Sequence, residues 1–187
     1  MTMAAKLIYV MGPSGAGKDS VIQYARGKLG AAYPVLFAHR YITRPLGEDI
    51  ENYVALTRDE FAQRRNGGLF AFDWEAYGLG YGIGGEIRAW QNAGFNVVVD
   101  GSRDHFMRHA SALRDAVPIL ITASPEALRT RLIGRRREDS AAIKRRLERA
   151  AAISVSDASL TVIDNSGPLQ QAGNQLTTLL LKHAPRR

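Results

Sequence analysis

The chain has 187 residues, of which 45% are hydrophobic and 23% are charged, with no cysteine and a formal net charge of +7. This length fits one domain with small insertions, and the lack of cysteine excludes a disulfide framework, a thiolate nucleophile and a Cys-ligated metal. No apolar run approaches the length of a membrane span, so we expect no membrane partner, no signal peptide and a cytoplasmic location. The positive charge predicts anionic partners, either phosphates or nucleic acid.

Apolar strands and amphipathic helices alternate along the chain, which is typical of an α/β fold with a mainly parallel sheet. The predicted core strands are residues 6–11, 35–38, 95–100, 117–122 and 160–163. The predicted core helices begin at residues 17, 102, 125, 140 and 168.

A different stretch, residues 40–93, lies between the second and third core strands and carries short strands and turn glycines. Its predicted strands are residues 52–56 and 70–74, and its predicted helix begins at Arg58, where Thr57 and Glu60 have the spacing of a capping box. We therefore expect a single domain over residues 1–187. It has a core (1–39, 94–133 and 148–187), an inserted lobe (40–93) and a basic segment at 134–147.

The first predicted strand is followed directly by a glycine-rich run, Gly12-Pro13-Ser14-Gly15-Ala16-Gly17-Lys18-Asp19-Ser20. A strand before this run and a helix after it are typical of a phosphate-binding loop. Its backbone N–H groups can approach the phosphates of a nucleoside triphosphate, and Lys18 can bridge the outer oxygens. The run predicts an ATP-type binding site.

The usual pattern has a Ser or Thr after the lysine to bind Mg²⁺, whereas this chain has Asp19. Asp100 ends the third core strand, where a carboxylate is well placed for Mg²⁺, directly or through water. The alternative is that Asp100 caps the helix near residue 103. Ser20 or a water molecule is the alternative to Asp19 as the Mg²⁺ ligand that replaces the usual hydroxyl. We expect Mg²⁺ as the cofactor, with Asp19 and Asp100 as its candidate ligands.

Arg40 and Arg44 follow the second core strand, at the sheet edge where ligands bind in α/β proteins. We expect them to clamp a second phosphate, that of the acceptor; the alternative is a solvated loop. The glycine-dense residues 78–86 allow two interpretations, a flexible turn or a lobe edge that presents Tyr81 to the acceptor.

A dense basic run begins at Arg131 and continues to Arg149. Solvated helices or a nucleic-acid patch are alternatives, but no aromatic residues interleave the arginines, so we expect no nucleic-acid partner. A mobile lid that brings arginines onto a migrating phosphoryl group is the favoured interpretation. His105 and His109, four residues apart, lack a third metal ligand and are predicted to be surface histidines.

These motifs resemble the guanylate kinase superfamily over essentially the whole chain. The segments that carry the resemblance are Gly12 to Lys18, Ile42-Thr43-Arg44, Tyr81-Gly82, and Arg131-Leu132 through Arg146-Leu147. The resemblance implies a three-layer P-loop nucleoside-monophosphate-kinase-like fold with an acceptor-binding lobe and a helical lid. However, the second acceptor arginine of that family falls at Gly47, its guanine-reading glutamate at Phe72, and its following serine or threonine at Ile83. Such a site should not discriminate guanine.

The chain more closely resembles the ribose 1,5-bisphosphate phosphokinase family of phosphonate breakdown. The segments that carry this resemblance are residues 12–20 with the unusual Asp19, 38–44, 81–84, 93–95 and 97–103. It implies transfer of the γ-phosphoryl group of ATP to the 1-phosphate of ribose 1,5-bisphosphate, which gives 5-phosphoribosyl 1-diphosphate. A guanylate or other nucleoside monophosphate kinase, or a non-catalytic interaction module, is the alternative.

For this reaction we expect the following roles for individual residues. Lys18, Arg135 and Arg146 are the expected catalytic residues, because they would hold and stabilise the migrating phosphoryl group. The expected acceptor-binding residues are Arg40, Arg44, Tyr81 and Arg103, the last through one end of a bisphosphate. The expected partners are ATP and a phosphorylated small molecule.

Overall fold

The computed structural model describes residues 5–45, 52–134 and 140–184. The strands are, in chain order, β1 (Leu7–Met11), β2 (Val35–Phe37), β3 (Arg40–Ile42), β4 (Tyr53–Ala55), β5 (Phe70–Ala76), β6 (Leu79–Gly84), β7 (Asn96–Asp100), β8 (Val117–Thr122) and β9 (Thr161–Asp164). The helices are α1 (Lys18–Leu29), α2 (Arg58–Asn66), α3 (Glu86–Asn92), α4 (Arg103–Arg108), α5 (Pro125–Gly134), α6 (Ser140–Ala152) and α7 (Leu169–His183).

The core sheet has the strand order β2-β7-β1-β8-β9, and every neighbouring pair in it is parallel. All five core strands lie within one residue of their predicted positions. The predicted starts of α5 and α6 are confirmed, and the other core helices begin one residue later than predicted. These elements were predictable because strands buried on both faces form continuous apolar runs.

Alternate residues of β1 point to opposite faces of the sheet, and each face is covered by helices. Ile8 and Val10 pack in one apolar cluster with residues of α1, α5 and α7. Tyr9 and Met11 pack in a second cluster with residues of α3 and α4. The result is a three-layer α/β architecture with the carboxyl ends of the parallel strands at one edge.

The inserted lobe has its own four-stranded sheet, in the order β4-β3-β6-β5. β3 pairs with β4 in parallel, whereas β6 pairs with β3 and β5 in antiparallel fashion. The predicted helix from Arg58 is confirmed, and the Thr57 hydroxyl accepts a hydrogen bond from the Glu60 backbone N–H at 3.1 Å. The Glu60 carboxylate instead accepts a bond from Arg64 at 2.7 Å.

The glycine-dense segment is a strand, which the sequence did not predict, and β3 and α3 were not predicted either. The segment forms β6, which lies between β3 and β5 in the lobe sheet, so the interpretation as a flexible turn is wrong, whereas its Tyr81 lines the cleft described below. A Cβ on Gly80 would lie 2.9 Å from the ring of Phe61, and a Cβ on Gly82 would lie 2.7 Å from the ring of Phe70. Glycine is needed here because aromatic rings pack directly on the strand backbone. In the described ranges, no helix has the length and apolar character needed to cross a membrane.

Candidate active site

A cleft of about 670 Å³ lies between the carboxyl edge of the core sheet, the lobe and α6. It is lined by most of the residues that the sequence singled out, namely Gly12, Ser14, Gly15, Gly17, Lys18, Asp19, Arg40, Arg44, Tyr81, Arg103 and Arg146. Three elements that are distant in the chain therefore meet at one site.

The phosphate-binding loop connects β1 to α1 and depends on its glycines. Gly15 and Gly17 have φ angles of 88° and 79°, in the left-handed region that favours glycine. A Cβ on Gly12 would collide with the carbonyl oxygen of Ile121. No side chain caps the N-terminus of α1, and Gly17, Lys18 and Asp19 line the cleft. A glycine-rich loop that leads into a helix N-terminus is typical of phosphate-binding loops.

Two side chains brace this loop from behind. Asn165, which is 3% exposed, donates a hydrogen bond from Nδ2 to the carbonyl oxygen of Ala16 at 2.7 Å. Arg131 donates to the same oxygen at 3.3 Å and to the carbonyl oxygen of Asn165 at 2.7 Å. The sequence analysis missed Asn165, although its position directly after β9 follows the same strand-end rule that identified Asp100. It had assigned Arg131 to the lid.

Four charged side chains meet at the open edge of the loop. The Arg40 guanidinium lies 2.8 Å from Asp19 Oδ1 and 2.9 Å from Asp100 Oδ2. Lys18 Nζ lies 3.8 Å from Asp100 Oδ1. The four side chains are only 10–17% exposed. Their formal charges sum to zero, which a buried cluster requires for stability.

Asp100 does not cap α4, so that alternative is wrong. The Ser102 hydroxyl is the cap, since it accepts a hydrogen bond from the His105 backbone N–H at 3.4 Å. Burial raises the pKa of Asp100 to about 6, against the opposing charges of Arg40 and Lys18. Its carboxylate therefore belongs to the charged cluster rather than to a helix terminus.

The carboxylates of this cluster fit a magnesium ion. Asp19 and Asp100 both contact one cationic group, and carboxylate oxygens are the ligands that Mg²⁺ prefers. Within residues 5–45, 52–134 and 140–184, no group of three or more His, Asp or Glu side chains forms a metal site. Two carboxylates fit Mg²⁺ where phosphates and water supply the remaining ligands.

The predicted acceptor residues lie on the cleft wall in different settings. The Arg44 guanidinium lies 4.7 Å from the centre of the Tyr53 ring, and the Tyr81 ring stacks on Trp74. Arg40 faces the two carboxylates, on the side of the phosphate-binding loop. Gly47, at the position of the second acceptor arginine, lies outside the described residues.

Arg103 has structural contacts that its position in the sequence did not predict. It is 9% exposed, and its guanidinium donates hydrogen bonds to the carbonyl oxygens of Ala150 at 2.9 Å and Ile153 at 2.7 Å. Burial lowers its pKa. Arg103 therefore anchors the C-terminal end of α6 to the core, beside the cleft.

Helix α6 carries Arg146 to the phosphate-binding loop. The Arg146 guanidinium donates a hydrogen bond to the Ser14 hydroxyl at 2.6 Å and lies 4.2 Å from the centre of the Tyr77 ring. It thus links the loop, the helix and the lobe. Arg135, the other predicted lid arginine, lies outside the described residues, as does the rest of 135–139.

His105 is not a surface residue, so this prediction was wrong, whereas His109 is exposed as predicted. His105 is 5% exposed, and its Nδ1 lies 3.0 Å from the hydroxyl of Tyr9. Burial lowers the pKa of His105 to about 4, with a smaller effect from His109. The Ser102 cap turns the first residues of α4 inward over Tyr9, which the four-residue spacing alone does not indicate.

Comparisons with known proteins find relatives that cover most of this chain. A curated relative named ribose 1,5-bisphosphate phosphokinase PhnN, from Desulfomicrobium baculatum, is 49% identical over 95% of each chain. A relative with the same name from Thiobacillus denitrificans is 47% identical over 94% of this chain and 92% of its own. The crystal structure of guanylate kinase from Anaplasma phagocytophilum matches with a TM-score of 0.70 at 16% identity, over 97% of this chain and 87% of its own. That structure supports the fold. A search against models of protein families found none that matches.

Proposed function

Because the chain belongs to the ribose 1,5-bisphosphate phosphokinase family, we propose that it transfers the γ-phosphoryl group of ATP to the 1-phosphate of ribose 1,5-bisphosphate. The products are 5-phosphoribosyl 1-diphosphate and ADP. One observation supports the proposal most directly. The chain has the fold of a guanylate kinase, but Phe72 and Ile83 stand at the positions where polar side chains would recognise guanine. A substrate without a base needs no such groups.

The reaction needs no general base. A phosphate monoester loses its second proton near pH ~6, so the acceptor oxygen is already ionised at neutral pH. This oxygen forms a bond to the γ-phosphorus while the bond from that phosphorus to the β-phosphate oxygen breaks, and ADP leaves. Catalysis then consists of aligning two polyanions and offsetting their repulsion.

On the donor side, the loop N–H groups and Lys18 hold the β- and γ-phosphates. Asp19 and Asp100 would hold Mg²⁺, which offsets phosphate charge when bound. Arg40 keeps the two carboxylates at one place, as its 2.8 Å and 2.9 Å contacts with them indicate.

On the acceptor side, Arg44 and Tyr81 bind the acceptor, and Arg40 and Arg103 remain candidates from the sequence. Arg146 stabilises the migrating phosphoryl group, since its bond to Ser14 places its charge beside the phosphate-binding loop. The sequence prediction gives Arg135 the same role. ATP as the phosphoryl donor favours a cytoplasmic location.

The test is phosphoryl transfer from Mg-ATP to ribose 1,5-bisphosphate and to GMP in separate reactions, with products identified by mass and by phosphorus NMR. We expect a diphosphate on the sugar and little GDP. GDP formation alone would replace the proposal with a guanylate kinase. ATP binding without transfer to either acceptor would favour a different acceptor or an interaction module.

A further inference from the structure

One aromatic side chain in the cleft, Trp74, lies outside the set of residues proposed above to bind ATP, Mg²⁺ or the acceptor. Trp74 lies on β5 directly opposite Tyr81 on β6, and the two rings are nearly parallel, with an interplanar angle of 3° and centroids 5.6 Å apart. Both side chains line the cleft that contains Lys18 and Arg44. A pair of aromatic rings therefore lines a site that is otherwise rich in cations.

Trp74 is backed by a packed cluster rather than by solvent. The centroid of its ring lies 5.6 Å from that of His105, at an interplanar angle of 45°. His105 in turn stacks on the fully buried Tyr9. A Cβ on Gly101 would collide with the Tyr9 ring, so this packing continues up to the end of β7. The indole is thus held in a fixed orientation at the cleft wall.

At Phe72 and Trp74, this wall offers apolar contact but no side chain that would pair with the polar edge of a base. Phe72 and Trp74 lie two residues apart on β5 and so point to the same face of the strand. Neither side chain offers the carboxylate that would pair with the polar edge of guanine. A furanose ring presents C–H bonds on one face, which suit contact with an aromatic plane, while its phosphates suit the surrounding arginines.

We infer that Trp74 is a specificity-determining residue whose indole forms a platform for the pentose ring of the acceptor. This inference rests on the proposed function, since it assumes a sugar acceptor. The platform selects a phosphorylated sugar by apolar contact and leaves a nucleobase without polar partners, which is costly for buried donors and acceptors.

The first experiment uses the two tryptophans of the chain as probes. Trp90 lies on α3 and is not among the described lining residues of the cleft. Trp90→Phe therefore leaves Trp74 as the single fluorophore, and Trp74→Phe is the matched control. Without ATP, ribose 1,5-bisphosphate should change the fluorescence of Trp90→Phe in a saturable way and leave that of Trp74→Phe nearly unchanged. Inorganic phosphate, which lacks the ring, should not reproduce the change.

The second experiment is kinetic. Trp74→Leu should raise KM for ribose 1,5-bisphosphate about three- to tenfold, as expected for loss of an aromatic contact, and leave KM for ATP unchanged. Trp74→Phe keeps an aromatic plane, so its increase in log KM for ribose 1,5-bisphosphate should be at most half of that in Trp74→Leu. A thermal melt of each variant shows whether it is folded.

The outcomes separate the two proposals. A wild-type protein that phosphorylates the sugar, with Trp74→Leu at the wild-type KM, would overturn the platform alone. A fluorescence change that inorganic phosphate reproduces would also overturn it. A wild-type protein that does not phosphorylate ribose 1,5-bisphosphate would overturn the proposed function, and the platform with it.

Discussion

On the donor side of the cleft, residues 12–20 are held by backbone geometry and buried charge, whereas the acceptor side is held mainly by the faces of aromatic rings. The carbonyl of Ala16 accepts bonds from two side chains, and Arg40 joins two carboxylates at under 3 Å. Across the cleft, Tyr81 lies against Trp74 and Tyr77 against Arg146.

This difference has a physical meaning. Triphosphate binding requires fixed N–H groups and a balanced set of charges, so almost every contact on the donor side is directional. Ring-face contacts have broad geometry and adapt to the shape of an acceptor. We therefore propose that the donor side determines the type of reaction and that the acceptor side determines which compound is phosphorylated.

The largest effect should come from the donor side. Lys18→Ala should lower kcat by about 10²- to 10³-fold, since loss of one preorganised charge at the transferring group costs roughly 2.7–4 kcal/mol. Lys28→Ala, at the exposed end of the same helix, is the matched control and should keep wild-type turnover. Steady-state kinetics with Mg-ATP measure both variants. Near-normal turnover of Lys18→Ala would show that Lys18 does not stabilise the migrating phosphoryl group.

Arg40→Leu tests the charge balance of the donor side. It leaves Asp19 and Asp100 without their shared cation and should lower the free energy of unfolding by about 3 kcal/mol in the absence of Mg²⁺. Adding Asp19→Ser removes one carboxylate and should recover at least half of the loss. Denaturant titrations measure the free energy of unfolding of each variant. An Arg40→Leu protein as stable as the wild type would show that Arg40 does not stabilise the two carboxylates.

The cluster behind the acceptor side should make stability depend on pH. His105 has a pKa of about 4 in the folded protein, below its ordinary 6.5, so between these values the unfolded chain binds a proton that the folded protein does not. The free energy of unfolding should fall as pH drops from about 6.5 to 4, by about 2 kcal/mol from this group. In His105→Gln the free energy of unfolding, measured by denaturant titration, should fall less between pH 7 and pH 4.5 than it does in the wild type. An equal fall in both proteins would contradict the prediction.

The smallest effect concerns the contact between the lobe and α6. Tyr77 has a φ angle of 53°, which asparagine tolerates, so Tyr77→Asn keeps the turn and removes the ring beside Arg146. We expect kcat to fall about threefold, as for loss of exposed cation–π contacts, since the ring lies near both Arg146 and Arg149. Tyr77→Phe should remain near the wild type, and an equal loss in both variants would point to the hydroxyl instead.

The sequence predicted those features whose signal is local. The core strands and the phosphate-binding loop each lie in one short segment, where apolar runs and glycine spacing are sufficient. Strand β6 was missed because Gly80 and Gly82 carry no side chains that show alternation, and the rings that cover them come from α2 and β5. The bond from Asn165 to Ala16 spans 149 residues, so no local pattern could reveal it.

The measurement that tests the account most directly is a competition between acceptors. The wild-type protein receives Mg-ATP with equal concentrations of ribose 1,5-bisphosphate and GMP in one vessel, and phosphorus NMR follows both products. We expect 5-phosphoribosyl 1-diphosphate to accumulate while GMP remains. Preferential formation of GDP would contradict the proposed function, because a lobe with Phe72 and Ile83 would then recognise guanine without the polar side chains expected for that purpose.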